Sequence, residues 1–91
     1  MTGRETKSKT AKKGSRTRYR DQDFLNKLGK RIRKARTNKG YSIDRVHLEA
    51  ENLSRSTITR IETGQADPQI STLRRVAQII GVRLRDLIDI E

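Results

Sequence analysis

The sequence predicts an all-α fold of five short helices, and three observations predict it. Apolar residues recur at spacings of three and four, as in Leu25, Leu28, Ile32 and Ala35, which stack along one side of a helix. No segment alternates apolar and polar residues as a half-buried strand does. The periodic segments are bounded by residues that start or stop helices: Ser42 and Ser54 before them, Gly40, Gly64 and Gly81 after them.

The first 20 residues lie outside this pattern. Arg4, Lys7, Lys9, Lys12, Lys13, Arg16, Arg18 and Arg20 stand there against Glu5 alone, among Ser, Thr and Gly. Such a segment buries too little surface to offset the entropy of ordering. Residues 1–20 are therefore expected to form a disordered basic arm, and residues 21–91 the folded domain. The arm is either a solvated tail or a strand of charge that follows a DNA backbone or enters a groove.

The first helix is expected from Asp21 or Asp23 to about Asn38. Acids at its start and Lys34, Arg36 and Lys39 toward its end suit the helix dipole. Gly40 ends it, and Tyr41 turns into the core. Ser42 caps a second helix reaching Ala50, with Val46 and Ala50 on one side. Asn52 sits in the turn that follows. Ser54 caps a third helix that stops at Gly64, with Ile58 and Ile61 sharing its buried side. After a polar loop through Pro68, a fourth helix runs from about Ser71 to Ile80, with Leu73, Val76, Ala77 and Ile80 inward. A short fifth helix, Leu84 to Ile88, closes the domain and turns Leu84, Leu87 and Ile88 toward apolar surroundings. Ile90 has no obvious core position and is a candidate dimer contact or part of a frayed end.

Composition narrows the function. With 91 residues there is room for one domain. The absence of cysteine removes disulfides and thiolate metal sites, and one histidine builds no metal centre alone. No apolar run approaches the roughly 20 residues that span a bilayer, and the first 20 residues are no secretory signal. A soluble cytoplasmic protein is expected, without a membrane partner, and on the nucleoid when bound to DNA. The net charge of +11 favours polyanions. Nucleic acid is the first candidate; an anionic membrane is second, because the arm has no apolar face to insert.

The third helix carries the sharpest signal. Its outer side offers Arg55, Ser56, Thr59 and Arg60, guanidinium and hydroxyl groups with no acid among them, which suits base edges and phosphates. A short capped helix, a tight turn and a capped basic helix form the layout of a helix-turn-helix DNA reader.

Leu53 to Gly64, Leu-Ser-Arg-Ser-Thr-Ile-Thr-Arg-Ile-Glu-Thr-Gly, resembles the recognition-helix segment of the lambda-repressor and Cro type of helix-turn-helix domain (XRE-like). Thr72 to Val82 and Leu84 to Leu87 are similar to later segments of the same family, so the resemblance covers roughly Leu28 to Ile88. It implies a five-helix lambda-repressor-like DNA-binding domain and no cofactor. It implies that Arg55, Ser56, Thr59 and Arg60 meet base edges in the major groove. An Arg can grip guanine through two parallel hydrogen bonds, and Thr59 can set its methyl against that of thymine. Thr57 and Thr63 resemble backbone contacts, and Ser42 can present an amide to phosphate. Arg36 and Glu62 resemble a pair that joins the first and third helices and lets Arg36 also touch phosphate.

The sequence departs from the family pattern at four points. Ile43 stands where a supporting glutamine is common and cannot hydrogen-bond, so the second helix is expected to add fewer contacts. His47 stands where a small residue is usual, so it either tilts the recognition helix or rotates outward. Ser42 to Ser54 is one residue longer than the commonest spacing. Arg83 replaces a Ser or Thr cap, leaving the fifth helix poorly capped.

Nothing resembles a catalytic site. His47 lacks a partner for metal or nucleophile chemistry, and Asp86 with Asp89, or Glu49 with Glu51, are ordinary surface acids. Two classes of function remain. The first is a sequence-specific regulator, simplest as a repressor, that binds an inverted repeat in double-stranded DNA as a homodimer. The second is a bridging or coactivator module, or an antitoxin, whose helices bind a protein partner.

Overall fold

A computed structural model describes residues 19–90 of this chain, and among them the secondary structure is all helical. The elements are α1 (Gln22–Lys39), α2 (Ile43–Glu49), α3 (Arg55–Glu62), α4 (Ile70–Ile80) and α5 (Leu84–Ile88). The five-helix expectation holds, with α5 at the bounds that its apolar residues predict. Most of the basic arm, residues 1–18, lies outside the described residues.

Each helix starts and stops for a local reason. The Asp21 carboxylate accepts from the Phe24 amide at 3.0 Å and caps α1. Ser42 Oγ accepts from the Arg45 amide, and Ser54 Oγ from the Thr57 amide, both at 3.0 Å. The end of α3 requires a left-handed residue, and Gly64 takes φ +77° without a Cβ to clash. The fifth helix is capped in a way that Arg83 does not suggest. The Asp86 carboxylate reaches back to the Arg83 backbone N–H at 3.2 Å, so the cap comes from the third residue of the helix. The same contacts, first with the Arg83 side chain and then with its amide, hold the Asp86 pKa below the usual aspartate value.

One core joins all five elements: Leu25, Leu28 and Ile32 from α1, Val46 and Ala50 around α2, Ile58 and Ile61 from α3, Leu73, Val76, Ala77, Ile79 and Ile80 from α4, and Leu87 from α5. These follow the expected faces, with Ile79 added and Ala35, Leu84 and Ile88 only partly covered. Tyr41 packs partly against this core. Ile90 does so too, and is not the free apolar residue that its position in the sequence suggests. The large apolar side chains that stay exposed among the described residues are Tyr19, Leu48 and Ile70.

α3 packs on α1 and α2, α4 packs on α5, α2 and α1, and α5 packs on α4 and α1. The recognition candidate is thus held from behind by two helices, and its outer side is left open.

Candidate nucleic-acid interface

The approach of α1 to α3 depends on Gly29. A Cβ at this position would lie 2.4 Å from the Glu62 carbonyl oxygen and 2.6 Å from that of Ile61. The missing side chain lets α1 touch the last turn of α3 backbone to backbone. Beside it, Arg36 and Glu62 form a two-pronged ion pair. Nε meets Oε2 at 2.6 Å and Nη2 meets Oε1 at 2.9 Å. The side chains are 10% and 5% exposed. Nη1 of Arg36 donates to the Tyr41 carbonyl at 2.9 Å, which ties the start of α2 into the same contact. The hydrogen bonds that Arg36 donates to Glu62 raise the Arg36 pKa above its usual value against the opposing effect of burial. The guanidinium, expected to touch phosphate as well, spends its donors inward and keeps little surface for DNA.

The C-terminal end of α3 is clamped a second time. Gln22 Nε2 donates to the Gly64 carbonyl at 2.7 Å, and Arg20 Nη2 donates to the same oxygen at 3.2 Å. Arg20 is the root of the basic arm, so the described chain enters the domain at the end of α3.

With α3 fixed in this way, Arg55, Ser56, Thr59 and Arg60 are all exposed. Arg55 is bonded through Nε to the Asp44 carboxylate on α2. Thr57 is half-buried, with Oγ1 2.9 Å from Ser54 Oγ, so it belongs to the cap as much as to the surface. Thr63 is exposed, and its hydroxyl donates to the Thr59 carbonyl at 2.8 Å. Ser42 is exposed at the start of α2, with its oxygen spent on the cap. The structure thus gathers the base-reading candidates on one open side and turns Arg36 and Glu62 behind them.

The turn between α2 and α3 shows what the sequence conceals. His47 neither rotates outward into solvent nor stands free: Nδ1 donates to the Leu53 carbonyl at 2.6 Å. A small residue could not span that distance, and Leu53, in the turn before α3, supplies the acceptor. Arg75 of α4 donates to the Glu49 carbonyl at 3.0 Å and satisfies the last carbonyl of α2. Neither contact is readable from periodicity. The signals present in the sequence are a glycine inside a strong helical pattern, for Gly29, and a histidine in place of a small residue, for His47.

A helix-turn-helix family model of the Cro/C1 type matches residues 32–87. The chain belongs to this helix-turn-helix family. Among its relatives is the SPbeta prophage-derived uncharacterized HTH-type transcriptional regulator YonR of Bacillus subtilis (strain 168), 37% identical over 55 residues. That alignment spans 60% of this chain and 50% of YonR. The HTH-type transcriptional regulator SlrR of the same organism is 35% identical over 65 residues, spanning 70% of this chain and 42% of SlrR. The chain therefore spans about half the length of these relatives. The crystal structure of the restriction-modification controller protein C.AhdI from Aeromonas hydrophila superposes with a TM-score of 0.65. It is 29% identical and covers 71% of this chain and 96% of its own. Both Bacillus subtilis relatives are named as HTH-type transcriptional regulators. No described helix is long and apolar enough to cross a membrane.

Proposed function

We propose that this helix-turn-helix chain is a sequence-specific transcriptional regulator that binds an inverted repeat in double-stranded DNA as a homodimer and acts as a repressor. The observation that carries this reading is the open side of α3. Four donor-bearing side chains, Arg55, Ser56, Thr59 and Arg60, are exposed together on a helix whose back is locked by the buried Arg36–Glu62 pair. An interface that reads bases needs this combination of outward donors and a rigid support. Thr57, Thr63 and Ser42 flank them at positions suited to phosphate.

The names of the relatives support a role in transcription. The homodimer is supported by reach, since one recognition helix covers too few base pairs to specify a site, and two related by a two-fold read half-sites about 34 Å apart. An apolar groove lined by Phe24, Ile70 and Ile88 lies on elements other than α3, so a partner covering it leaves the reading face open. Repression by occupying a promoter is the simplest action for such a domain.

The test is enrichment of a random duplex pool by the full chain at about physiological salt. An inverted repeat with half-sites one helical turn apart is the expected result. Binding with no enriched motif would contradict base reading and favour a bridging module in which the helices dock protein.

A further inference from the structure

We infer that Asp44 is a specificity-determining residue that works through Arg55, presenting its guanidinium to a guanine and penalising other bases. This rests on the proposal that the outer side of α3 reads DNA.

Asp44 is the second residue of α2, and Arg55 is the first of α3. The two are eleven residues apart and meet across the turn, the carboxylate accepting from Nε. That choice of nitrogen matters. A guanidinium bonded at Nε keeps a free edge formed by its two terminal nitrogens, and that edge matches the paired acceptors of guanine. The outer side of α3 has no acid of its own, so α2 supplies the carboxylate. The neighbouring residue Ile43 has no polar group with which to do the same.

Stability does not account for the contact. The two side chains are 62% and 65% exposed, and exposed pairs contribute little to folding. Its effect belongs to the complex, where water is expelled and the contact strengthens. There, an Arg already held in one orientation has less freedom left to lose. Asp44 also acts as negative selection. If Arg55 swings away to a base that cannot accept two hydrogen bonds, the carboxylate is left facing phosphates and base acceptors without a counter-charge. An acid in the first turn of α2 also suits the helix dipole, but such a role would be indifferent to Arg55.

The experiment compares wild type, Asp44→Ala, Arg55→Ala and the double variant by fluorescence anisotropy. The probes are duplexes carrying the enriched site, with each half-site base pair changed in turn, and a duplex without the site. Asp44→Ala is expected to lower the preference for guanine at one half-site position about tenfold, which corresponds to 1.4 kcal/mol. It is expected to raise affinity for the duplex without the site. In the Arg55→Ala background, Asp44→Ala should leave base preference unchanged, because its effect passes through Arg55. Thermal unfolding should move little in either single variant.

Full guanine preference in Asp44→Ala would overturn the inference, as would an equal effect with and without Arg55. Base preference unaltered by Arg55→Ala, on a site that wild type selects, would overturn it too while leaving sequence reading intact. Failure of wild type to select any site would instead overturn the proposed function, and this inference with it.

Discussion

Arg36 and Glu62, 26 residues apart in sequence, meet edge to edge at 2.6 and 2.9 Å with both side chains at least nine-tenths buried. The pair is one of the contacts that join the first helix to the end of α3. Removing one partner leaves the other charge buried and unpaired, so Glu62→Ala is expected to cost about 3 kcal/mol. Urea unfolding measures this. Replacing both residues by apolar ones of similar volume should recover most of the loss, because no buried charge remains.

Gly29→Ala would improve helix propensity by about 1 kcal/mol in an isolated helix. In this fold the added methyl meets backbone oxygens of Ile61 and Glu62 that cannot rotate aside. A net destabilisation of about 2 kcal/mol is expected from overpacking, together with weaker DNA binding as α3 shifts. A rise in unfolding temperature would contradict the close approach.

The cap of α5 gives a pH dependence whose sign is determined by Asp86. Its pKa is lowered in the folded state, mainly by the Arg83 side chain and then by the Arg83 amide. The stabilisation is therefore complete above the unfolded pKa and is lost as pH falls through the folded value, below about pH 4. Comparing the urea midpoints of wild type and Asp86→Asn from about pH 6 to about pH 2.5 checks this. The advantage of wild type should narrow toward the acid end; a gap that is constant with pH would contradict the contact.

Residues 1–18 carry much of the basic excess, and the chain joins the domain at Arg20, which donates to the Gly64 carbonyl just past α3. Deleting 1–18 is expected to lower affinity by the same factor on selected and unrelated duplexes. The slope of log affinity against log salt should flatten by about 0.9 for each phosphate that the arm neutralises in the full chain. A weakening confined to the selected site would mean that the arm reads sequence.

Much of this architecture is legible from apolar spacing and caps. Leu25, Leu28 and Ile32 mark one side of α1, Ile58 and Ile61 mark α3, and Gly40 and Gly64 mark ends. These are local properties, set within one or two turns of helix. The proposed reading face is legible for the same reason, since Arg55, Ser56, Thr59 and Arg60 share a side by spacing alone. What spacing does not encode is where one helix crosses another. Gly29 matters only because Glu62 arrives there, His47 only because the turn carries Leu53 back to it, and Asp44 only because α3 begins beside it. Long side chains add to this, because Arg20, Arg31 and Arg75 each reach a carbonyl on a distant segment.

Base reading by the outer side of α3 is tested most directly by Arg55→Ala/Arg60→Ala. The quantity to measure is the ratio of affinities for the selected site and an unrelated duplex, at one salt concentration. Each guanidinium that grips a guanine supplies about 1–3 kcal/mol of discrimination. The ratio is therefore expected to fall by at least about tenfold while the variant keeps its unfolding temperature. A ratio equal to that of wild type would contradict the assignment of α3 as the helix that reads DNA.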